Sequence, residues 1–157
     1  QLGLVAQTEQ DYGEAKYLFQ ESHAIYAELQ EPWSTTRVLN NLGYTLYALK
    51  DYTKARAVFG ESLAMAAAAQ LLPVALEALV GLVNLRINEG TAEQALAWLT
   101  YALRHPAIGK QTKDRAEQLC LVLEAQLTQP QIAAAQAQTQ TKTFDAVVQE
   151  VLSNHNS

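Results

Sequence analysis

The chain is poor in the residues that staple, turn or metallate a fold. Cys120 is its single cysteine in 157 residues. That excludes a disulfide framework and a cysteine-based zinc site, and it suits a reducing compartment, read here as the cytoplasm. Four prolines and seven glycines are too few for a loop-rich fold and fit a chain that is nearly all helix. Charge is scarce as well. Asp, Glu, Lys and Arg make up 17%, so much of the surface must be Gln, Asn, Ser, Thr and Ala. The net charge is -5 and no basic block occurs, which argues against direct nucleic-acid binding, because phosphates need clustered Lys and Arg. Long apolar runs are missing too. The alanine-rich run Ala64 to Ala69 is far short of the roughly 18 residues that span a bilayer, and the opening residues carry no signal-peptide pattern. What is not lacking is apolar content. At 49% hydrophobic, the chain excludes disorder and suffices for one domain with a sizeable core.

What is present is an echo. Leu2-Gly3, Asp11-Tyr12, Ala15, Phe19 and Glu21-Ser22 return forty positions later as Leu42-Gly43, Asp51-Tyr52, Ala55, Phe59 and Glu61-Ser62. A fainter third copy is Leu82, Thr91-Ala92, Ala95, Leu99 and Ala102. A fixed period of this size means one small unit stacked on copies of itself, each completing its neighbour's core. The first copy lacks residues that precede Leu42 in the second, and the chain begins without Met. The expectation is a piece of a longer protein.

Helix signals come in pairs. Residues 34–49 carry the stripe Val38, Leu39, Leu42, Leu46 and Leu49, with Ser34 or Thr35 as N-cap. Gly43 stands mid-helix, where it costs about 1 kcal/mol relative to Ala, so another backbone is expected close by. Asp51 caps a helix over 52–70, Asp11 one over 12–30, and Thr91 one over 92–104. Pro73 suits the first turn of a helix over 73–89, which Glu89-Gly90 ends. A degenerate fourth unit follows: helix 112–128, a break at Pro130, and Ala135 in phase with the earlier alanines. Phe144, Val147, Val148, Val151 and Leu152 form a last amphipathic stripe. The expected fold is all-α, a right-handed superhelical stack of antiparallel helix pairs with eight or nine helices. Its repeats lie at about 1–30, 34–70, 73–104 and 112–141, with a capping helix at about 143–154.

With Leu-Gly in the first helix and A-x3-F in the second, the pattern resembles the tetratricopeptide repeat. Leu42-Gly43 with Ala55 and Phe59, and Leu2-Gly3 with Ala15 and Phe19, carry the resemblance. It covers 1–104 well and 112–152 weakly. The period departs from the family's 34 residues; about six extra residues add roughly 9 Å of helix. The wording "NLGYTLYALKDYTKARAVFGESLAMA" is similar to long-repeat arrays at the C-terminal end of large bacterial regulators, beside ATPase or DNA-binding domains. Neither a phosphate-binding loop nor a helix-turn-helix is visible here.

The resemblance implies that the first helix of each pair lines a concave, partner-binding face. Carried onto this chain, that face is Arg37, Asn40, Tyr44 and Tyr47, then Glu77, Asn84 and Asn88, then Glu117 and Glu124 with Cys120 between them. Asn40, Tyr44 and Tyr47 share one helical stripe by spacing alone. Two readings stay open: recognition of an extended peptide by Asn and Tyr, or plain packing and solvation. The chaperone-tail clamp known in the family is disfavoured, because Glu77 stands where that clamp has a cation.

Other motifs invite chemistry and do not support it. His23, His105 and His155 fall in different units, with no second ligand at i+3 or i+4. Cys120 is flanked by Glu117 and Glu124, the wrong charge for a reactive thiol. Trp33 and Trp98 read as packing anchors. The chain is therefore expected to be no enzyme and to need no cofactor or metal. Its expected partner is a protein or peptide, or another domain of its own parent chain, with neither nucleic acid nor membrane. The alternative is a self-assembly or scaffolding domain, in which Leu2, Leu4, Val5 and the 144–152 stripe form apolar edges and a homo-oligomer results.

Overall fold

The computed structural model describes residues 12–28, 31–87 and 91–155, and every regular element among them is a helix. In chain order these are α1 (Tyr12–Glu28), α2 (Pro32–Ala48), α3 (Tyr52–Ala68), α4 (Leu72–Leu85), α5 (Ala92–Arg104), α6 (Lys110–Glu124), α7 (Gln129–Gln138) and α8 (Phe144–His155). The architecture is an α-solenoid built on antiparallel pairs. Helices starting at Tyr12, Tyr52 and Ala92 stand forty positions apart, as do those starting at Pro32 and Leu72. The expected cap at Asp11, the pair Leu2-Gly3, the edge Leu4-Val5, Asn88 and the Glu89-Gly90 stop lie outside the described residues, as do the side chains of Ala15, Phe19, Ser22, His23, Tyr26 and His155.

Local chemistry sets most boundaries. Asp51 accepts from the Lys54 amide and Thr91 from the Gln94 amide, so both predicted caps are in place. Ser34 and Thr35 are not caps. The helix begins earlier, with Pro32 in its first turn and Glu31 as an N-cap that makes no side-chain bond. Proline is pre-organised for that turn and gives up only an amide that would be orphaned anyway. Pro130 likewise starts α7 rather than merely breaking the chain, behind a reciprocal capping box between Thr128 and Gln131. α4 stops at Leu85, short of the expected residue 89.

The turns between α2 and α3 and between α3 and α4 are built identically. Lys50 (φ 65°) and Gln70 (φ 58°) adopt the left-handed conformation. The Asp51 amide donates to Leu46 O at 2.9 Å and the Leu71 amide to Ala66 O at 2.8 Å. This is the Schellman ending, which folds the chain back after three residues and normally takes glycine at the left-handed position.

The core centres on α4. Ten of its residues, from Val74 to Leu85, are buried, and it packs against α2, α3, α5, α6 and α8. A helix apolar on every side belongs in the middle of a domain. Phe59 of α3 is wedged between α2 and α4. A methyl placed on Gly43 would stand 2.6 Å from its ring, and one on Gly81 2.7 Å. Gly43 was expected to admit a backbone; it admits this ring, and Gly81 mirrors it from the other side.

The regular stack does not run to the end. α6 and α7 were expected to pair, yet they scarcely meet; each packs on α5 instead. The reason lies in α7, where Ala135 is the single buried residue, too small a face to hold a hairpin. Polar links tie this part to α5. Thr139 Oγ1 donates to Ala97 O at 3.2 Å and Arg104 Nη1 to Gln136 O at 2.9 Å. α8 then returns to α3 and α4. Val147, Val148 and Val151 are buried there, Trp98 Nε1 donates to Glu150 at 3.2 Å, and Lys142 pairs with the same carboxylate.

Candidate functional site

The first helices of successive pairs, α2, α4 and α6, lie side by side. Their N-terminal ends border an open trench of about 310 Å3, walled by Trp33 and Arg37, by Pro73, Val74 and Glu77, and by Gly109 to Thr112. The Arg37 guanidinium stands 5.9 Å over the Trp33 ring, and both side chains are exposed. The ring quadrupole attracts the cation there. Glu77 is held on the trench wall by Asn40 Nδ2, which donates to its Oε1 at 2.8 Å.

Further along, the face is sealed. The Arg115 guanidinium of α6 lies 3.9 Å over the Tyr44 ring of α2. Tyr44 also meets Phe59 in a T-shaped contact with ring centroids 4.9 Å apart, and its hydroxyl reaches Glu77 O at 3.5 Å. Burial pushes the Tyr44 phenol up to about 12, with Glu77 raising it and Arg115 opposing. Tyr44 is therefore a neutral wedge between helices at any ordinary pH.

The sequence-predicted residues scatter once placed. Arg37 and Glu77 share the trench. Asn40 does not stand on an open face; it is fully buried. Its Nδ2 also donates to Val74 O at 3.2 Å, and its Oδ1 accepts from Ser62 Oγ at 2.7 Å. It ties α2, α3 and α4 together, because a buried amide must satisfy both ends. Tyr47 turns away toward the α2–α3 turn, where its ring tilts against Tyr52 at 5.5 Å. Asn84 is half-buried. Glu117 and Glu124 do not join the α2–α4–α6 face. They line a separate slot with Cys120, between α5, α6 and α7. Burial, then Glu124 and Glu117, push the Cys120 thiol up to about 11, so it is protonated near neutrality and a poor nucleophile.

Arg115 is the residue that sequence reasoning missed. Thr112, Ala116, Cys120 and Leu123 face the core, and that stripe fixes the rotation of α6. Reading it alone would have put position 115, not 117 or 124, toward α2.

Among the described residues no three His, Cys, Asp or Glu gather as a metal site, and no helix is long and apolar enough to cross a membrane. His105 ends α5, and its Nδ1 accepts from the Ala107 amide at 3.1 Å. Trp98 is almost fully buried, as a packing anchor should be, whereas Trp33 is exposed.

Residues 1–68 match the family model of the tetratricopeptide repeat. No curated protein and no solved structure matches the chain. Tetratricopeptide repeats generally mediate protein–protein interaction and are typically not catalytic.

Proposed function

We propose that this domain is a non-catalytic interaction and sensor module of a larger bacterial regulatory protein, and that it docks a peptide or partner domain across α2, α4 and α6. The observation that carries this reading is the trench bounded by Trp33, Arg37, Glu77 and Lys110. It stays open although the helices around it close tightly on Phe59 and Tyr44. Tryptophan and arginine are both among the residue types enriched at binding hot spots. Arg37, Trp33 and Lys110 are the residues to which we assign contact. Asn40 and Tyr44 act behind them, holding the wall in place. The resemblance of the repeat to arrays in large regulators supports the parent assignment, and the reducing compartment follows from it.

Site-specific photo-crosslinking tests the reading. A crosslinker at Gln111 should capture a partner, and the double charge reversal Arg37→Glu, Lys110→Glu should weaken that partner's binding about tenfold or more without loss of helical circular dichroism. Crosslinks confined to α3 and α5, or unchanged affinity in the double variant, would count against it. The homo-oligomer alternative loses one support, since Val147, Val148 and Val151 of the last stripe are buried inside the domain.

A further inference from the structure

The slot that holds Glu117 and Glu124 is a second face, separate from the trench, and it exists because a helix pair failed to close. α5 forms its floor with Thr100, Leu103 and Arg104, α6 one wall, and Gln136 of α7 the other. Its volume is about 460 Å3, room for inserted side chains.

The α6 wall has the pattern of a helix-facing seam. Glu117, Cys120, Leu121 and Glu124 fall at i, i+3, i+4 and i+7, a single stripe about 10 Å long. In an ordinary helix pair that stripe would meet the second helix of the pair. Here it does not, and Leu121 is left 63% exposed. The stripe is apolar at its centre and acidic at both ends. Among the described residues no Lys or Arg pairs with either carboxylate. The single cation on the lining, Arg104, is turned to α7 by its bond to Gln136 O.

We infer that this slot seats one amphipathic helix of another protein, lying along α6 where its hairpin partner is missing. The occupant carries two adjacent apolar residues over Cys120 and Leu121, and a Lys or Arg one turn out on either side, opposite Glu117 and Glu124. Helix-in-groove recognition reads anchors at this spacing, and the flanking charges set the register and exclude acidic helices.

The test uses the whole chain and a labelled, Ala/Gln-rich helical peptide of about four turns. The peptide has two adjacent Leu and a Lys one turn to each side, and fluorescence anisotropy follows its binding. Saturable binding is expected. Glu117→Lys with Glu124→Lys should weaken it about tenfold or more, and a peptide with Glu in place of both Lys should recover binding to that variant only. Leu121→Asp should abolish binding, and Arg37→Glu should leave it unchanged. Arg37, Glu117 and Leu121 are exposed and Glu124 is half-buried, and circular dichroism checks that each variant folds. No saturable binding, or binding insensitive to the charge reversal, overturns the inference. So does loss on Arg37→Glu, which would seat the peptide in the trench instead. A dimer of the chain that Leu121→Asp dissolves would assign the slot to a second copy and overturn it equally.

Discussion

Replacing Gly43 with alanine should change sign depending on what stands at residue 59. Alanine in a helix interior is favoured over glycine by about 1 kcal/mol, so the local expectation is stabilisation. The tertiary contact opposes it. The new methyl would stand 2.6 Å from Phe59 Cζ and 2.8 Å from both Cε atoms, closer than packed carbons tolerate. The ring has little room to retreat, because the Gly81 backbone lies close on the α4 side, where an added methyl would likewise stand 2.7 Å from it, and the Tyr44 ring packs on it with centroids 4.9 Å apart. Overpacking of this kind costs about 1–3 kcal/mol. The net effect of Gly43→Ala is then destabilisation of up to about 2 kcal/mol, lowering the melting temperature by a few degrees. In a Phe59→Leu background the obstructing ring is gone and only the helix preference is left. There the same change should stabilise by up to about 1 kcal/mol. The coupling between positions 43 and 59 should therefore be about 1–3 kcal/mol, and Gly43→Ala with Gly81→Ala should cost more than the two singles combined. Denaturant unfolding followed by circular dichroism measures all of these. If Gly43→Ala stabilises the wild-type chain as much as the Phe59→Leu chain, the wedge does not govern these glycines.

Lys50→Gly and Gln70→Gly should each stabilise by about 0.5–1 kcal/mol, since both residues occupy left-handed backbone that glycine adopts without strain; thermal melts would show it. Asn40→Leu should cost about 1–3 kcal/mol in urea unfolding, because it strips partners from Ser62, Val74 O and Glu77 at a buried junction. At Glu150 burial raises the carboxyl pKa, but the Lys142 and Trp98 bonds outweigh it and hold the group below the usual carboxylate value. A depressed carboxylate stabilises the fold above its unfolded pKa, about 4.3, and loses that contribution as pH falls through the folded value. Acid titration should therefore loosen α8 only below the usual carboxylate range, seen as a change in Trp98 fluorescence, and Lys142→Gln should move the release to higher pH.

How much was legible divides along a physical line. The caps at Asp51 and Thr91 and the starts of the paired helices were readable, because capping and periodicity act over a few residues. Arg37 and Glu77, expected on one face from register, both line the trench. Asn40 was misread because its stripe is the outer one by spacing, and only a neighbouring helix decides whether an outer position is covered. Glu117 and Glu124 were misassigned because the rotation of α6 follows its core stripe against α4 and α5, which no repeat echo specifies in so degenerate a unit.

The amino-acid sequence by itself determined that this protein is helical, repeated and rich in small residues at fixed register, since propensity, capping and apolar period are local properties. The tertiary structure alone decided that Phe59 needs two glycines, that Arg115 covers Tyr44, that α7 abandons α6 for α5, and that α8 turns back to α3 and α4. Each of those outcomes depends on which surfaces meet. A weakly apolar helix such as α7 goes wherever a better-packed neighbour leaves room, and that competition is settled between helices rather than along them.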